Sequence, residues 1–338
     1  ALLGREPADW DITTSALPAE VKALFPRTID TGIQHGTVTV MLGQEGFEVT
    51  TYRVDGEYTD CRHPREVQFT GSLREDLKRR DFTINAMAYN EEDGLIDEFD
   101  GAGDLTRGII RCVGRAEERF TEDALRMLRA VRFSAQLGFV LETQTREAIG
   151  KLCGNLSRVS AERIQAELVK LLTSPHPERI RDAWETGITS VVLPEFDACM
   201  ACEQNNPHHI YSVGEHIVHS LQQIEADKIL RLTMLLHDFG KPAVKTTDAQ
   251  GVDHFKRHQE VGEELARVIL RRLKFDNETV RQVTKLVWCH DYHPALTPAG
   301  VRRAVNRIGA DLFPLYLKVQ RADIQAQNPA LQEPKFQA

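Results

Sequence analysis

The sequence predicts a mixed α/β region over about the first hundred residues, followed by an all-helical remainder, in an elongated multidomain arrangement. At 338 residues the chain is too long for one small core. Strand and helix patterns alternate up to about residue 106, and long amphipathic helical patterns then take over, such as TEDALRMLRAVRFSAQL (121–137) and AERIQAELVKLL (161–172).

Composition is that of a soluble globular protein, with 41% hydrophobic and 27% charged residues. No apolar run approaches the roughly 20 residues of a membrane span, so we expect no membrane partner. Six cysteines without disulfide-like spacing favour a reducing cytoplasm. Cys199 and Cys202 form one C-x-x-C, but without a second matched pair ordinary helix thiols are favoured over zinc. The chain starts ALLGRE without methionine, and we expect its true start upstream.

Charge is unevenly distributed along the chain. The net charge is −8, which argues against a protein coated in nucleic acid. Residues 107–173, however, contain twelve Arg and Lys against eight Asp and Glu, a local +4. A basic region on an acidic protein is compatible with binding one defined polyanion.

Two segments near the start predict a β-hairpin. TVTVML (37–42) and FEVTTY (47–52) flank GQEG, which we expect to form a four-residue turn. In the second strand Phe47, Val49 and Thr51 share one face, which leaves Glu48 on the other.

The segment PADWDITT (7–14) places two carboxylates in a predicted strand. Asp9 and Asp11 point the same way because alternate side chains share a face. Two adjacent carboxylates repel unless a cation lies between them, and Mg²⁺ is held by such groups together with substrate phosphates. With Glu48 as a third acid, the set suits a two-metal phosphoryl-transfer site.

Two basic segments follow. KRRDFTINAMAYN (78–90) places Lys78 to Asp81 ahead of an apolar segment that we expect to be helical. In RFTEDALRMLRAVRF (119–133), the helical period puts Asp123, Arg126 and Arg129 on one side and Met127, Leu128 and Val131 on the other. A carboxylate accepts from the exocyclic amine of cytosine or adenine, and an Arg three residues on donates to ring acceptors. One Asp–Arg pair therefore suits both C and A.

These segments, together with GIQHGTVTV, EVTTYR and VSAERIQAEL, resemble in order the class II tRNA nucleotidyltransferases, which are the CCA-adding enzymes, and the related bacterial poly(A) polymerases. The resemblance is dense over residues 1–175 and implies a nucleotidyltransferase head with a mixed or antiparallel sheet. It implies that Asp9 and Asp11 bind Mg²⁺ with Glu48 as a third catalytic carboxylate. The nucleotide-binding set it implies is Arg80, Asp81, Asp123, Arg126, Arg129 and Arg132.

Two further segments also resemble the family, and one segment typical of the family is absent. LIDEFDGAGDL (95–105) resembles the joint between head and neck, with Asp97, Gly101 and Asp104. RVDGEYTDCRHPREV (53–67) resembles a flexible loop needed for the switch from C to A addition. The family's Gly-Gly-x-x-Arg-Asp stretch, which cradles the triphosphate, is absent from this chain, so the polypeptide as given is expected to bind nucleotide poorly.

The last third of the chain resembles the HD phosphohydrolase domain. GEHIVHSL (214–221), LLHDFGKP (235–242), FKRHQEVG (255–262), WCHDYHP (288–294) and RADIQAQ (321–327) occur in order. Imidazole with carboxylate suits Mn, Fe, Ni or Zn better than Mg. His219 competes with His216 for the first position. The implied metal ligands are His216, His237, Asp238 and Asp323, with His258 and His290 for a second ion or a phosphate.

The combined prediction is a head over residues 1–106, a base-selecting helical neck over 107–173, a helical body over 174–205 and an HD domain over 206–338. The expected activity is addition of C, C and A to a tRNA 3′ end from CTP and ATP with Mg²⁺, with HD phosphohydrolase activity in end repair. Three alternatives stay open: a poly(A) polymerase, a phosphohydrolase with an inactive transferase head, and a non-catalytic RNA-binding protein.

Overall fold

The structure is a computed structural model that describes residues 2–4, 6, 10–56, 67–206 and 210–328. Three predicted features fall wholly or partly outside the described residues. They are Asp9, residues 57–66 of the loop predicted to act in the C-to-A switch, and residues 207–209 at the predicted start of the HD domain. The chain divides into two compact units. The first unit comprises residues 1–126 and 140–158, and the second comprises 127–139 and 159–338.

The first unit begins with a four-stranded mixed sheet, which confirms the predicted α/β head. Its strands lie in the order β1-β4-β3-β2, with β1 parallel to β4 and the other pairs antiparallel. The strand β4 buries Val49 with Val38 and Val40 of β3 against Val21 of α1, so the alternating apolar residues form the core of the sheet. These elements are β1 (Ile12–Thr14), α1 (Pro18–Leu24), β2 (Thr28–Gly32), β3 (Thr37–Leu42) and β4 (Glu45–Thr51).

The hairpin is confirmed, but its predicted four-residue turn is wrong. Leu42 pairs directly with Glu45, so the turn has two residues and begins at Gly43 with φ +67°. The second glycine of GQEG serves the sheet, because a Cβ on Gly46 would lie 3.0 Å from Thr39 Cγ2 on the opposite strand.

The rest of the first unit contains short strands and helices. The apolar segment after Asp81 is not an α-helix as predicted. It forms a 3-10 turn, Thr83–Asn85, and then the strand β7, because residues 88–90 pair with β8. The elements are β5 (Arg53–Asp55), β6 (Val67–Phe69), α2 (Leu73–Lys78), β7 (Ala88–Asn90), β8 (Gly94–Ile96), α3 (Gly101–Arg107), β9 (Ile109–Ile110), α4 (Ala116–Glu122), α5 (Leu125–Leu137), β10 (Val140–Leu141) and α6 (Thr143–Leu152).

The predicted helix over 121–137 is two helices. The chain breaks at Asp123, whose backbone is extended (φ −140°, ψ 104°) and whose Oδ1 accepts a hydrogen bond from Leu125 N at 3.0 Å. Asp123 thus satisfies an amide at the start of α5, as capping aspartates do. The apolar side predicted for α5 is confirmed, since Met127, Leu128 and Val131 are buried.

In the described part of the second unit the chain is helical apart from two short strands, as predicted for the chain after residue 107. Helix α7 begins and ends at the predicted residues. No helix among the described residues is long and apolar enough to cross a bilayer. The remaining elements are α7 (Ala161–Leu172), α8 (Ile180–Glu185), α9 (Ile188–Val192), α10 (Pro194–Met200), α11 (Val213–Gln222), α12 (Lys228–Leu236), α13 (Lys241–Val244), β11 (Thr246–Thr247), β12 (Asp253–His254), α14 (His258–Arg272), α15 (Asn277–Cys289), α16 (Pro298–Ile308) and α17 (Phe313–Gln325).

A buried ion pair connects α5 to α7 within the second unit. Arg132 Nε donates to Glu167 Oε2 at 2.8 Å, and its guanidinium also contacts Gln136 Oε1 and the ring of Phe133. Both charged side chains are more than nine-tenths buried. Replacing Glu167 would leave the Arg132 guanidinium buried without this carboxylate.

We expect Glu167→Ala to lower the free energy of unfolding by about 3 kcal/mol, because Arg132 would stay buried without its carboxylate. The measurement is urea unfolding followed by circular dichroism. Glu162→Ala is the matched control, since Glu162 is exposed on the same helix and its loss should change stability by less than about 0.5 kcal/mol. Equal stability of the two variants would contradict a structural role for the ion pair.

Candidate functional sites

The first candidate site is the edge of the head sheet where β1 runs beside β4. Ile12 pairs with Val49 in the parallel ladder. Asp11 directly precedes β1 and Glu48 directly precedes Val49, so extending the register by one residue would set the two acids level on the face opposite Val49. Both carboxylates are exposed. Asp11 thus lies at the start of the edge strand β1 and Glu48 lies on the neighbouring strand β4, whereas Asp9 lies outside the described residues.

Arg80 has a buried nitrogen that lacks a hydrogen-bond partner among the described residues. Its Nη1 contacts Asn85 O at 3.3 Å and its Nη2 contacts Asp76 Oδ2 at 3.4 Å. Its Nε is buried and makes no hydrogen bond to the described residues. A buried donor without a partner is costly, so an acceptor from a bound substrate would remove that cost.

Asp81 contributes to the local backbone structure. Its Oδ1 accepts from Phe82 N at 2.9 Å and from Asn85 Nδ2 at 3.2 Å, which holds the 3-10 turn after it. Asp76, fully buried, pairs with Arg79 at 2.7 Å as well as with Arg80. The sequence analysis did not single out Asp76. The only sign of its role is that an acid stands one helical turn before Arg79 and Arg80.

The RRD segment lies against the start of α5. Arg126 Nη2 donates to Arg79 O at 3.0 Å, and Arg126 Nη1 contacts Glu122 Oε2 at 2.6 Å. Arg119 Nη1 donates to Lys78 O at 2.9 Å. These contacts bring the predicted nucleotide-binding residues Arg80 and Arg126 into one part of the first unit. Arg129 and Arg132 belong to the second unit, where the ring of Phe133 lies 5.4 Å from the guanidinium of Arg129.

The second candidate site is a cluster of buried histidines in the second unit. The Nδ1 atoms of His237, His258 and His290 lie 2.6–2.9 Å from the carbonyl oxygen three residues earlier, and His216 Nδ1 lies 3.4 Å from Ala326 O. A carbonyl only accepts, so Nδ1 of His237, His258 and His290 carries a proton and Nε2 of these rings can offer a lone pair. Backbone contacts at Nδ1 are what orient metal-binding imidazoles.

The Nε2 atoms converge in pairs. His216 Nε2 lies 3.3 Å from His237 Nε2, and His258 Nε2 lies 3.0 Å from His290 Nε2. Two lone pairs at this distance repel unless they share a cation. Ligand atoms about 2.1 Å from one ion, at ordinary coordination angles, lie about 3.0–3.4 Å apart. Burial and the neighbouring His290 lower the pKa of His258 to about 4, so its ring is neutral at pH 7. The donor set therefore fits metal ions.

Asp238 lies between the two histidine pairs. Its Oδ2 is 3.3 Å from His237 Nε2 and 3.6 Å from His216 Nε2. Its Oδ1 is 3.6 Å from the Nε2 atoms of both His258 and His290. Burial opposes ionisation, but His237 and Lys241 outweigh it and hold the pKa of Asp238 well below its usual range. One ionised carboxylate thus faces both groups of potential ligands.

The last predicted ligand reaches the cluster from α17. Asp323 Oδ1 lies 2.8 Å from His216 Nε2 and 3.8 Å from His237 Nε2. His219, the competing residue for the first position, stacks its ring on Tyr211 at 4.2 Å between centroids. Within the described residues, the two groups of three potential ligands that could hold an ion are His216 with His237 and Asp238, and Asp238 with His258 and His290.

Gly240 allows the helices that carry these residues to approach closely. A Cβ on Gly240 would lie 2.1 Å from His258 O and 2.6 Å from Gly262 N, both backbone atoms of α14. Any side chain at this position would push α14, and with it His258, away from Asp238.

We expect Gly240→Ala to weaken metal binding by about ten- to a hundredfold, the range seen when the support of a metal ligand is disturbed. Titration with Mn²⁺, followed by the rise in thermal midpoint, measures the effect. Gly150→Ala is the control, because a Cβ on Gly150 meets no atom within 4 Å. Wild-type Mn²⁺ affinity in Gly240→Ala would show that this close approach does not support the cluster.

The chain is similar to three family models. The poly(A) polymerase head domain matches residues 1–111, the probable RNA- and SrmB-binding site of polymerase A matches 138–200, and the HD domain matches 208–323. The nucleotidyltransferase and HD families imply dependence on divalent metal ions.

Known proteins with related sequences are CCA-adding enzymes. The CCA-adding enzyme of Lactiplantibacillus plantarum is 41% identical over 85% of this chain and 63% of its own length. That of Leuconostoc mesenteroides is 56% identical over 51% of this chain and 43% of its own length. The crystal structure of the Bacillus stearothermophilus CCA-adding enzyme in complex with CTP is 32% identical, with a TM-score of 0.70 over 99% of this chain and 74% of that chain.

This chain therefore belongs to the family of CCA-adding tRNA nucleotidyltransferases and poly(A) polymerases, with a C-terminal HD domain. It spans about 43% and 63% of the lengths of those two sequence relatives.

Proposed function

We propose that the protein adds C, C and A to the 3′ end of tRNA from CTP and ATP. We also propose that it acts in the cytoplasm, where it would meet tRNA and where thiols such as the free cysteines of the described residues stay reduced. The observation that supports the proposal is the parallel pairing of β1, which Asp11 directly precedes, with β4, which carries Glu48, together with the contact of Arg126 with the backbone of Arg79. The relatives support CCA addition, since those compared are CCA-adding enzymes and one was crystallised with CTP.

Asp9, Asp11 and Glu48 would hold Mg²⁺, which supplies charge neutralisation at the triphosphate and activation of the attacking hydroxyl. Arg80 would donate its buried Nε to the sugar or phosphates of the nucleotide. Asp81 would hold Arg80 in place through the turn that it caps. We infer that these groups orient the α-phosphate toward the tRNA 3′-hydroxyl, with pyrophosphate as the leaving group.

The start of α5 would select the base. Asp123 would accept from the exocyclic amine that cytosine and adenine share, and Arg126 would donate to the adjacent ring acceptor. Guanine and uracil present the opposite order of donor and acceptor and would leave both side chains unpaired. Arg129 would complete the nucleotide pocket, and Arg132, bonded to Glu167, would support it. The +4 segment 107–173 would help to hold the tRNA acceptor arm by its backbone.

A second activity is favoured by the histidine cluster. We propose that His216, His237, Asp238 and Asp323, with His258 and His290, hold Mn, Fe, Ni or Zn, which would polarise a phosphate ester for hydrolysis. Trimming phosphates from damaged tRNA ends would prepare the hydroxyl that nucleotide addition requires. This use of hydrolysis in end repair favours CCA addition over poly(A) synthesis.

The test is extension of a tRNA transcript lacking its CCA by the full-length protein, resolved to single nucleotides. We expect two cytidines with CTP alone, little product with ATP alone, and three nucleotides with both. Long adenosine tails with ATP alone would overturn CCA addition in favour of poly(A) synthesis. No extension together with active phosphate hydrolysis would support an inactive transferase head.

A further inference from the structure

The helices that carry the histidine cluster form a groove on another of their faces. Helices α14, α15 and α16 line a groove of about 600 Å³. Its charged side chains are Arg267, Arg271, Arg281 and Lys285 against Glu263. The segment 258–308 carries nine Arg and Lys against six Asp and Glu, in a chain whose net charge is −8. The groove is thus basic on an acidic protein.

Two of the groove cations are not neutralised by neighbouring acids. Arg267 pairs with Glu263, and Arg281 pairs with Glu278 and Asp311. Within the described part of the chain, Arg271 and Lys285 form no ion pair. An acid three or four residues away on the same helix could pair with such a cation, but neither Arg271 nor Lys285 has one at these positions. The absence of such an acid leaves positive charge directed into the groove.

An aromatic residue lies between cations at one end of the groove. The ring of Trp288 has Lys285 Nζ 4.6 Å and the Arg307 guanidinium 4.5 Å from its centroid. Arg307 also lies 4.5 Å from the ring of Tyr292. Basic side chains interleaved with a half-buried aromatic are typical of surfaces that bind nucleic acid.

The groove is separate from the histidine cluster. Trp288 and His290 are two residues apart on one helix and therefore point about 200° apart around its axis. Arg267 and Arg271 lie one turn apart, as do Arg281 and Lys285, with a rise of about 6 Å per pair. That rise is comparable to the separation of successive phosphates along a nucleic acid strand.

We propose that this groove binds the sugar-phosphate backbone of RNA, through Arg271 and Lys285 on phosphates and with Trp288 and Arg307 at its end. The proposal rests on the proposed function, because it takes the RNA to be the one whose 3′ end is extended. The groove would hold that RNA at a distance from the chemistry and without reading its sequence.

The experiment measures binding of a fluorescein-labelled tRNA transcript lacking CCA to the full-length protein by anisotropy between 50 and 200 mM salt. The test variant is Arg271→Ala/Lys285→Ala. The matched control is Lys228→Ala/Lys318→Ala, which removes two exposed cations of the same unit that pair with acids. Thermal unfolding of each variant checks that the fold is retained.

We expect the groove variant to bind RNA about tenfold more weakly than the wild-type protein. The slope of log affinity against log salt should become less steep by about two, because two phosphate contacts are lost. Its KM for RNA should rise while its kcat at saturating RNA stays that of wild type. The proposal that the groove binds RNA would be overturned if the groove variant kept wild-type affinity and slope, or if the control variant were weakened equally. Wild-type protein that binds RNA through the groove but adds no nucleotide would overturn the proposed function alone.

Discussion

Asp11→Ala is expected to abolish nucleotide addition by the full-length protein, with a fall in kcat of at least about 10³-fold. Asp11 is exposed and directly precedes β1, which pairs with the strand that carries the exposed Glu48, and loss of this carboxylate would remove charge proposed to hold Mg²⁺ against the triphosphate. Removing one preorganised electrostatic group from an active site costs about 10²–10³ in kcat, and loss of the ion would add to this. Incorporation of labelled CMP under single-turnover conditions measures the effect.

Glu45→Ala provides the control for Asp11→Ala. Glu45 is an exposed acid at the hairpin end of the same strand as Glu48, and its removal should leave addition unchanged. Hydrolysis at the histidine cluster should also survive Asp11→Ala. Nucleotide addition at more than a tenth of the wild-type rate would rule out Asp11 as a metal ligand.

His237→Ala should have the opposite selectivity. Its Nε2 lies within 3.8 Å of potential ligand atoms on His216, Asp238 and Asp323. We expect loss of bound transition metal and at least a hundredfold loss of phosphomonoesterase activity, with CMP incorporation unchanged. Metal content by elemental analysis and hydrolysis of p-nitrophenyl phosphate are the two measurements.

His219→Ala is the matched control for His237→Ala, because the ring of His219 stacks on Tyr211 outside the cluster. It should keep both metal and hydrolysis. Metal retained by His237→Ala would rule out His237 as a ligand. Metal lost by His219→Ala would reassign the first ligand position from His216 to His219. Loss of nucleotide addition in His237→Ala would show that the two activities are not independent.

Strand alternation alone predicted the placement of Glu48, because a strand that buries Val49 and Thr51 turns the residue before Val49 to the opposite face. The same reasoning gave the wrong turn. GQEG contains two glycines, and sequence does not reveal that Gly43 supplies the positive φ while Gly46 avoids Thr39. Local pattern therefore predicted the face of the strand but not its end.

Contacts between residues far apart in the chain were harder to predict from the sequence. His216 and His219 are one helical turn apart, so only the position of Asp323, over 100 residues later, distinguishes them. The resemblance to the HD domain predicted which residues form the cluster, whereas the contacts between each Nδ1 and a backbone carbonyl could be seen only in the structure. The groove was missed because its cations are spread over separate helices, and the sequence does not reveal that these helices line one groove. Asp76 was missed because a single acid in a helix has no distinctive pattern.

The most direct test of the central claim, that Asp11 binds a catalytic ion, is metal rescue of Asp11→Cys in a His237→Ala background. A thiolate binds Mg²⁺ poorly and softer ions well. We predict that CMP incorporation by this variant is lost in Mg²⁺ alone and is partly restored by micromolar Cd²⁺, whereas Asp11→Ser stays inactive under both conditions. Full activity of Asp11→Cys in Mg²⁺ alone, or equal stimulation of Asp11→Ser by Cd²⁺, would contradict the claim.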